Sequence, residues 1–160
     1  MSGEKRCALV LGLIFLVIGI AGFIPGLVSL PGAIAGAAPV TADDLPATAG
    51  ANYSAAYLRG FGYLFGLFPT NLLHNIAHLA VGAFGLYSAT GDRGAFNYNR
   101  FFAISYLALA VLGLIPAANT LFGIMPIFGN NVWLNGITGA IAAYYAFVVH
   151  KTDADLDAAV

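Results

Sequence analysis

The 160 residues include six basic and seven acidic side chains, for a net charge of −1, against 60% hydrophobic residues and a mean hydropathy of +0.86. A soluble domain spends about a quarter of its residues on charge, and a nucleic-acid binder needs a basic surface. The composition therefore excludes a soluble enzyme, a nucleic-acid binder and a disordered tail. The charges cluster, leaving Cys7–Ala42, Gly60–Gly91 and Phe101–Val149 uncharged, stretches that only lipid solvates well.

Roughly twenty apolar residues in a helix cross a hydrocarbon core of about 30 Å. By that measure the first span runs from about 7 to 28, behind Glu4, Lys5 and Arg6. A secretory signal peptide is the rival reading of this segment, with Ala35-Gly36-Ala37 as its cleavage site. The apolar run is longer than the usual signal core, which favours a span. Cys7, the one cysteine, excludes an internal disulfide and reads as a small residue at a helix start, with S-acylation as the alternative.

An outer loop of about 29–69 follows. Loops this long have a job or are mobile; its tip near Asp43 and Asp44 is a natural docking point for a partner, with simple chain reach from one span to the next as the alternative. The density of Tyr53, Tyr57, Phe61, Tyr63, Phe65 and Phe68, with Arg59 the only charge, predicts an interfacial helix over about 53–68.

Further spans are predicted at about 70–89, 101–118 and 132–149. The last two are joined by a charge-free turn containing Pro126, Gly129, Asn130 and Asn131. The fold class expected is thus all-α: a polytopic membrane protein of four transmembrane helices arranged as two similar hairpins, forming one membrane domain. Lys5, Arg6, Arg93, Arg100 and Lys151 fall on one side and Arg59 alone on the other, which places both termini in the cytoplasm. His150 and Lys151 suit the negative end of the last helix, Trp133 is an outer anchor, and Asp153, Asp155 and Asp157 form a solvated tail.

The two hairpins share wording. Gly22-Phe23-Ile24-Pro25 matches Gly113-Leu114-Ile115-Pro116, and Leu64-Phe65-Gly66-Leu67-Phe68-Pro69 matches Leu121-Phe122-Gly123-Ile124-Met125-Pro126. Leu73-His74 then pairs with Leu134-Asn135 at similar depth. The matches read as an internal duplication about an axis along the membrane normal; chance recurrence of common span-end residues is the alternative. The first half is longer by an insertion of about thirty-four residues.

The second span carries the chemistry. Asn71, His74, Asn75 and His78 share one helix face, which Gly82 and Gly85 continue. Such a stripe is too polar for lipid and must face the bundle. Asn131, Asn135 and Thr138 form a counterpart on the fourth span, so a hydrogen-bonded seam between spans two and four is expected. The competing reading is a ligand site: His74 and His78, at i and i+4, as ligands for chlorophyll or haem rather than a bare metal. An intramembrane enzyme or small transporter is a third reading. Ser88 and Ser105 lack a nucleophile-elbow context, and no intramembrane carboxylate offers a proton path.

The run Leu-Phe-Gly-Leu-Phe-Pro69 followed by Asn71-x-x-His74-Asn75-x-x-His78-Leu79-x-x-Gly82 resembles an uncharacterised bacterial family of small four-span membrane proteins, found especially in actinobacteria and cyanobacteria and known only as a domain of unknown function. The resemblance implies the topology and supplies no activity. The family's second repeat often holds a Leu-His pair where this chain has Leu134-Asn135. The expected function is that of a non-enzymatic accessory or scaffold subunit in a bacterial inner membrane or a thylakoid. It would contact lipid and either other membrane proteins or itself through close-packing faces such as Gly12, Gly19 and Gly22.

Overall fold

The computed structural model describes residues 1–30 and 55–149. Ala35-Gly36-Ala37, the loop tip at Asp43 and Asp44, Tyr53, His150, Lys151 and the acidic tail lie outside the described residues.

The protein is mostly helical. Helix α1 (Gly3–Ala21) is followed by a 3-10 turn (Pro25–Leu27) and a short strand β1 (Val28–Ser29). After the loop come α2 (Ala55–Leu58), β2 (Gly62–Leu64), β3 (Phe68–Thr70), α3 (Leu72–Ser88), α4 (Asp92–Leu114) and α5 (Asn130–Ala143), which continues as a π-helical stretch (Tyr144–Val149). Among the described residues, one helical stretch is long and apolar enough to cross a membrane, Asn130–Val149 at 20 residues. The others fall short for local reasons. Glu4, Lys5 and Arg6 open α1. At 17 residues, α3 rises only about 26 Å. The first nine residues of α4 hold Asp92, Arg93, Asn97, Asn99 and Arg100.

The expected interfacial helix over 53–68 is corrected: among the described residues of that range helix covers only Ala55–Leu58, and a β-hairpin of β2 and β3 follows. With β1 the hairpin makes a three-stranded antiparallel sheet in the order β1-β2-β3, Val28 lying opposite Leu64 and Tyr63 opposite Pro69. Gly60 (φ 67°) stops the helix, and the turn places Phe65 and Gly66 in the left-handed region at φ 53° and 70°. The aromatic set divides in this small lid: Tyr63 and Phe68 are half-buried and Phe65 is exposed. Tyr57 and Phe61 are buried and stack at 5.7 Å between ring centroids.

Helix α1 packs along α3 and α4 along α5, and the pairs meet mainly through α4. Phe15 is the hub, edge-on to Phe102 and Tyr106 and to the ring of His78, all at about 5 Å. Glycine makes the α1–α3 contact close. A Cβ on Gly12 would lie 2.8 Å from the Leu86 amide nitrogen, one on Gly85 2.8 Å from the Gly12 Cα, and one on Gly82 would collide with the Leu16 backbone. Gly19 meets the Leu79 backbone and Gly22 the Asn75 side chain. This corrects the reading of Gly12, Gly19 and Gly22 as outward surfaces: they are spent inside the chain on α3. Gly139 of α5 approaches the Leu107 amide of α4 in the same way, at 3.0 Å. Phe122 and Gly123, at φ 56° and 82°, repeat the left-handed pair seen at Phe65 and Gly66.

The chain start is fastened to α4. Asp92 accepts from the Ser2 hydroxyl at 3.0 Å and pairs with Lys5 at 2.9 Å, while the Asn99 amide donates to the Glu4 carbonyl at 3.0 Å. Lys5 and then Ser2 hold the Asp92 carboxyl below its usual range. A depressed carboxylate contributes stability above its unfolded pKa of about 4 and loses it as pH falls through the folded value. The unfolding temperature is therefore expected to drop slightly on acidification in the native chain, the pair being exposed and solvent-screened. Asp92→Asn should remove that increment of the pH dependence, and identical pH profiles for the two proteins would exclude the contribution.

Candidate functional site

Every member of the polar set found in the sequence is buried: Asn71, His74, Asn75, His78, Asn131, Asn135 and Thr138. Their partners are not one another across two helices. Asn71 caps α3, its side-chain oxygen accepting from the His74 amide at 2.8 Å, while its Nδ2 donates to the carbonyls of Tyr57 (3.0 Å) and Ile124 (2.9 Å). Asn75 donates to the Gly22 carbonyl at 2.8 Å and accepts from the Thr70 hydroxyl at 2.5 Å. Asn131 donates to the carbonyls of Pro69 (2.7 Å) and Pro126 (2.9 Å).

The expected seam between spans two and four is thereby corrected. Three asparagines reach the main chain of the lid, the end of α1 and the α4–α5 connection, tying irregular backbone at one end of the bundle. A primary amide suits the task because it offers two donors and an acceptor, and irregular backbone leaves carbonyls without ladder partners. Thr138 turns aside: its hydroxyl donates to the Leu134 carbonyl of its own helix, and it lines a separate cleft with Arg6 and Cys7. Cys7 itself is buried in the α1 core.

Below this tied region lies a half-open cavity of about 170 Å³, bounded by α3, α4, the α4–α5 connection and Asn135 of α5. His74, Ala77, His78 and Val81 form its α3 wall, and Phe101, Ser105, Tyr106 and Leu109 its α4 wall. The two imidazoles lie 4.3 Å apart between centroids. His74 Nδ1, His78 Nδ1 and Asn135 Nδ2 are buried without a hydrogen-bond partner, in contrast to the three satisfied amides above them.

The chemistry open to the cavity is limited. Ser105, its one aliphatic hydroxyl, donates to the Phe101 and Phe102 carbonyls at 2.8 and 3.3 Å. Among the described residues no carboxylate or thiol lines it, and no group of three His, Cys, Asp or Glu side chains is placed to hold a metal ion. Pockets for drug-sized ligands run to roughly 300–1,000 Å³, so a chlorophyll or haem macrocycle does not fit inside. With both imidazoles only 4% exposed, neither ring reaches a macrocycle lying on the outer surface.

Sequence reading missed Tyr106, Met125 and Asn99. Tyr98, Phe102 and Tyr106 recur every fourth residue on α4, with Phe102 and Tyr106 stacked at 3.8 Å, and that spacing was the available signal. Met125 enters from the connection, where no periodicity exists to find it. No curated protein and no solved structure matches the chain. A family model described as a domain of unknown function (DUF4383) matches residues 5–148, nearly the whole bundle together with the stripe on α3, and the chain belongs to that family.

Proposed function

We propose that the chain is a non-enzymatic integral membrane protein of four spans with both ends cytoplasmic, serving as an accessory subunit of a cell membrane. One observation carries the reading: polarity is arranged inside out. Large apolar side chains cover the outside of the helices, among them Val17 of α1, Phe84 of α3, Ile104, Val111 and Leu114 of α4 and Ile137 of α5, Leu114 being 70% exposed. Asparagines and histidines fill the inside. In water that arrangement forfeits burial worth about 25 cal/mol per Å² of apolar surface, whereas in hydrocarbon it is the favourable one. The limited length of α3 and the polar start of α4 are accommodated by local thinning and by side chains reaching for the interface.

Common sidedness of the two ends draws support from Gly3, where a Cβ would lie 3.1 Å from the Tyr145 ring and 3.5 Å from the Val149 side chain near the end of the last helix, and the Lys5–Asp92 and Ser2–Asp92 contacts hold the chain start beside the α3–α4 turn. Internal duplication draws support from the paired left-handed turns and from two equivalent contacts, Gly82 on Leu16 and Gly139 on Leu107. In the register of those contacts Asn135 corresponds to His78, one helical turn from the pairing with His74 that the sequence indicated. A neutral cavity without a nucleophile or carboxylate favours holding over turnover.

Single cysteines introduced at Ser2, Arg93 and Phe122 in a Cys7→Ser background test the topology. In intact cells only the Phe122 position is expected to react with a membrane-impermeant maleimide; labelling of Ser2 and Phe122 from the same side would overturn the four-span arrangement. Blue-native electrophoresis after mild extraction is expected to show an assembly heavier than the monomer, and a lone monomer would count against an accessory role.

A further inference from the structure

Three polar atoms on side chains lining one cavity lack partners: Nδ1 of His74, Nδ1 of His78 and Nδ2 of Asn135. Each such group costs about 1–3 kcal/mol if left unmet, and buried polar groups are very largely paired. The same chain satisfies Asn71, Asn75 and Asn131, two of them with two bonds from one Nδ2. Buried side-chain atoms without a partner also occur at Tyr98, Asn99 and Asn119, but those of His74, His78 and Asn135 lie together at one cavity, where there is room for something else.

What fills the space is constrained from four directions. No charged side chain among the described residues lines it, so a divalent cation would bring its full charge into a low-dielectric site on neutral ligands alone, a costly transfer; the occupant is neutral. Its volume, about 170 Å³, is close to the roughly 150 Å³ of an apolar cavity known to take benzene, so the occupant is one ring in size. The rings of Phe101 and Tyr106 in the wall favour a flat group. The orphaned amide donor and imidazole nitrogens call for oxygens on that ring, an acceptor for Asn135 and a carbonyl or hydroxyl for the histidines.

The half-open cavity, with exposed Phe101 in its wall, leaves a way out for an apolar tail. We propose that it is a binding site for the oxygen-bearing ring of a neutral, membrane-soluble lipid of the quinone or quinol class, held by His74, His78 and Asn135. The proposal rests on the membrane reading for the ligand's route of access.

The test is calorimetric titration of the full chain, in detergent, with a short-tailed 1,4-benzoquinone, corrected for partition into empty micelles. Saturable binding of one quinone per chain is expected. His78→Gln and Asn135→Leu should each weaken it about tenfold, the loss of one hydrogen bond at about 1.4 kcal/mol. Ala77→Phe, which fills the space while leaving His74, His78 and Asn135 in place, should abolish it. Circular dichroism of each variant establishes that the bundle is intact. Heat no greater than that of empty micelles, or unchanged affinity in folded Ala77→Phe, overturns the proposal. Stoichiometric binding of Cu(I) alone, lost in His74→Ala and unaccompanied by quinone binding, also overturns it in favour of a metal site. The titration in detergent is independent of sidedness: if the topology fails while the quinone saturates, only the membrane reading is lost, and the reverse result removes only the site.

Discussion

Gly82→Leu is expected to prevent the bundle from forming, the largest effect of any single substitution in this chain. Even a methyl group at this position collides with the Leu16 backbone and lies 2.9 Å from the Gly12 carbonyl oxygen. Backbone on the opposing helix cannot rotate away as a side chain can, so α1 and α3 must separate along their length. Overpacking of a core usually costs about 1–3 kcal/mol and occasionally more; with both facing surfaces made of main chain, more than about 3 kcal/mol is expected here. Gly82→Ala should be milder and still destabilising, whereas Ala83→Leu, one residue on and exposed, should be nearly neutral. Thermal unfolding of the three variants in detergent checks the order. Equal stability of Gly82→Leu and Ala83→Leu would mean that the two helices do not meet at this point.

Asn71→Ala is expected to be the second most damaging change. One side chain supplies the α3 cap and two bonds to carbonyls that belong to separate segments, Tyr57 in the lid and Ile124 in the α4–α5 connection. Loss of an N-cap costs about 1 kcal/mol, and each abandoned carbonyl adds a desolvation penalty of about 1–3 kcal/mol where water does not reach. The low end of that sum, about 3 kcal/mol, corresponds to a fall of roughly 6–12 °C in unfolding temperature for a chain of this size. Asn71→Asp separates the two roles: it keeps the capping oxygen, lacks the donors and points negative charge at two carbonyls, so it should be no better than alanine. Hydrogen exchange should quicken around Ile124 as well as at the start of α3. A drop no larger than that of Asn97→Ala, an exposed position on α4, would show that the Asn71 side chain ties nothing.

Both predictions fall on residues that the sequence marked, though for different reasons from those the structure provides. The stripe of Asn71, His74, Asn75 and His78 was legible because helical periodicity is a local property: spacings of three, four and seven place side chains on one face whatever surrounds the helix. On the proposed membrane reading, the direction in which that face turns follows from solvent, since amides and imidazoles gain nothing from an apolar exterior. The aromatic segment between Tyr57 and Phe68 was misjudged on a short range. Composition gave its affinity for an interface, while Gly60, Gly62 and Gly66, the residues that admit a turn and close strand pairing, were the better guide to its conformation.

By itself the sequence determined the helical character, the pairing of each helix with its hairpin neighbour and the polar face of α3, because each depends on residues near in the chain and on the cost of exposing the wrong surface to the wrong solvent. Only the tertiary structure decided where those polar groups end their search: Asn75 on Gly22, 53 residues away, and Asn131 on Pro69, 62 residues away. It also decided that Gly12, Gly19 and Gly22 serve α3 rather than a partner, and that three polar atoms at one cavity are left unmet. Hydrogen-bond partners and voids are properties of surfaces brought together from distant parts of the chain, and no local pattern encodes which surfaces will meet.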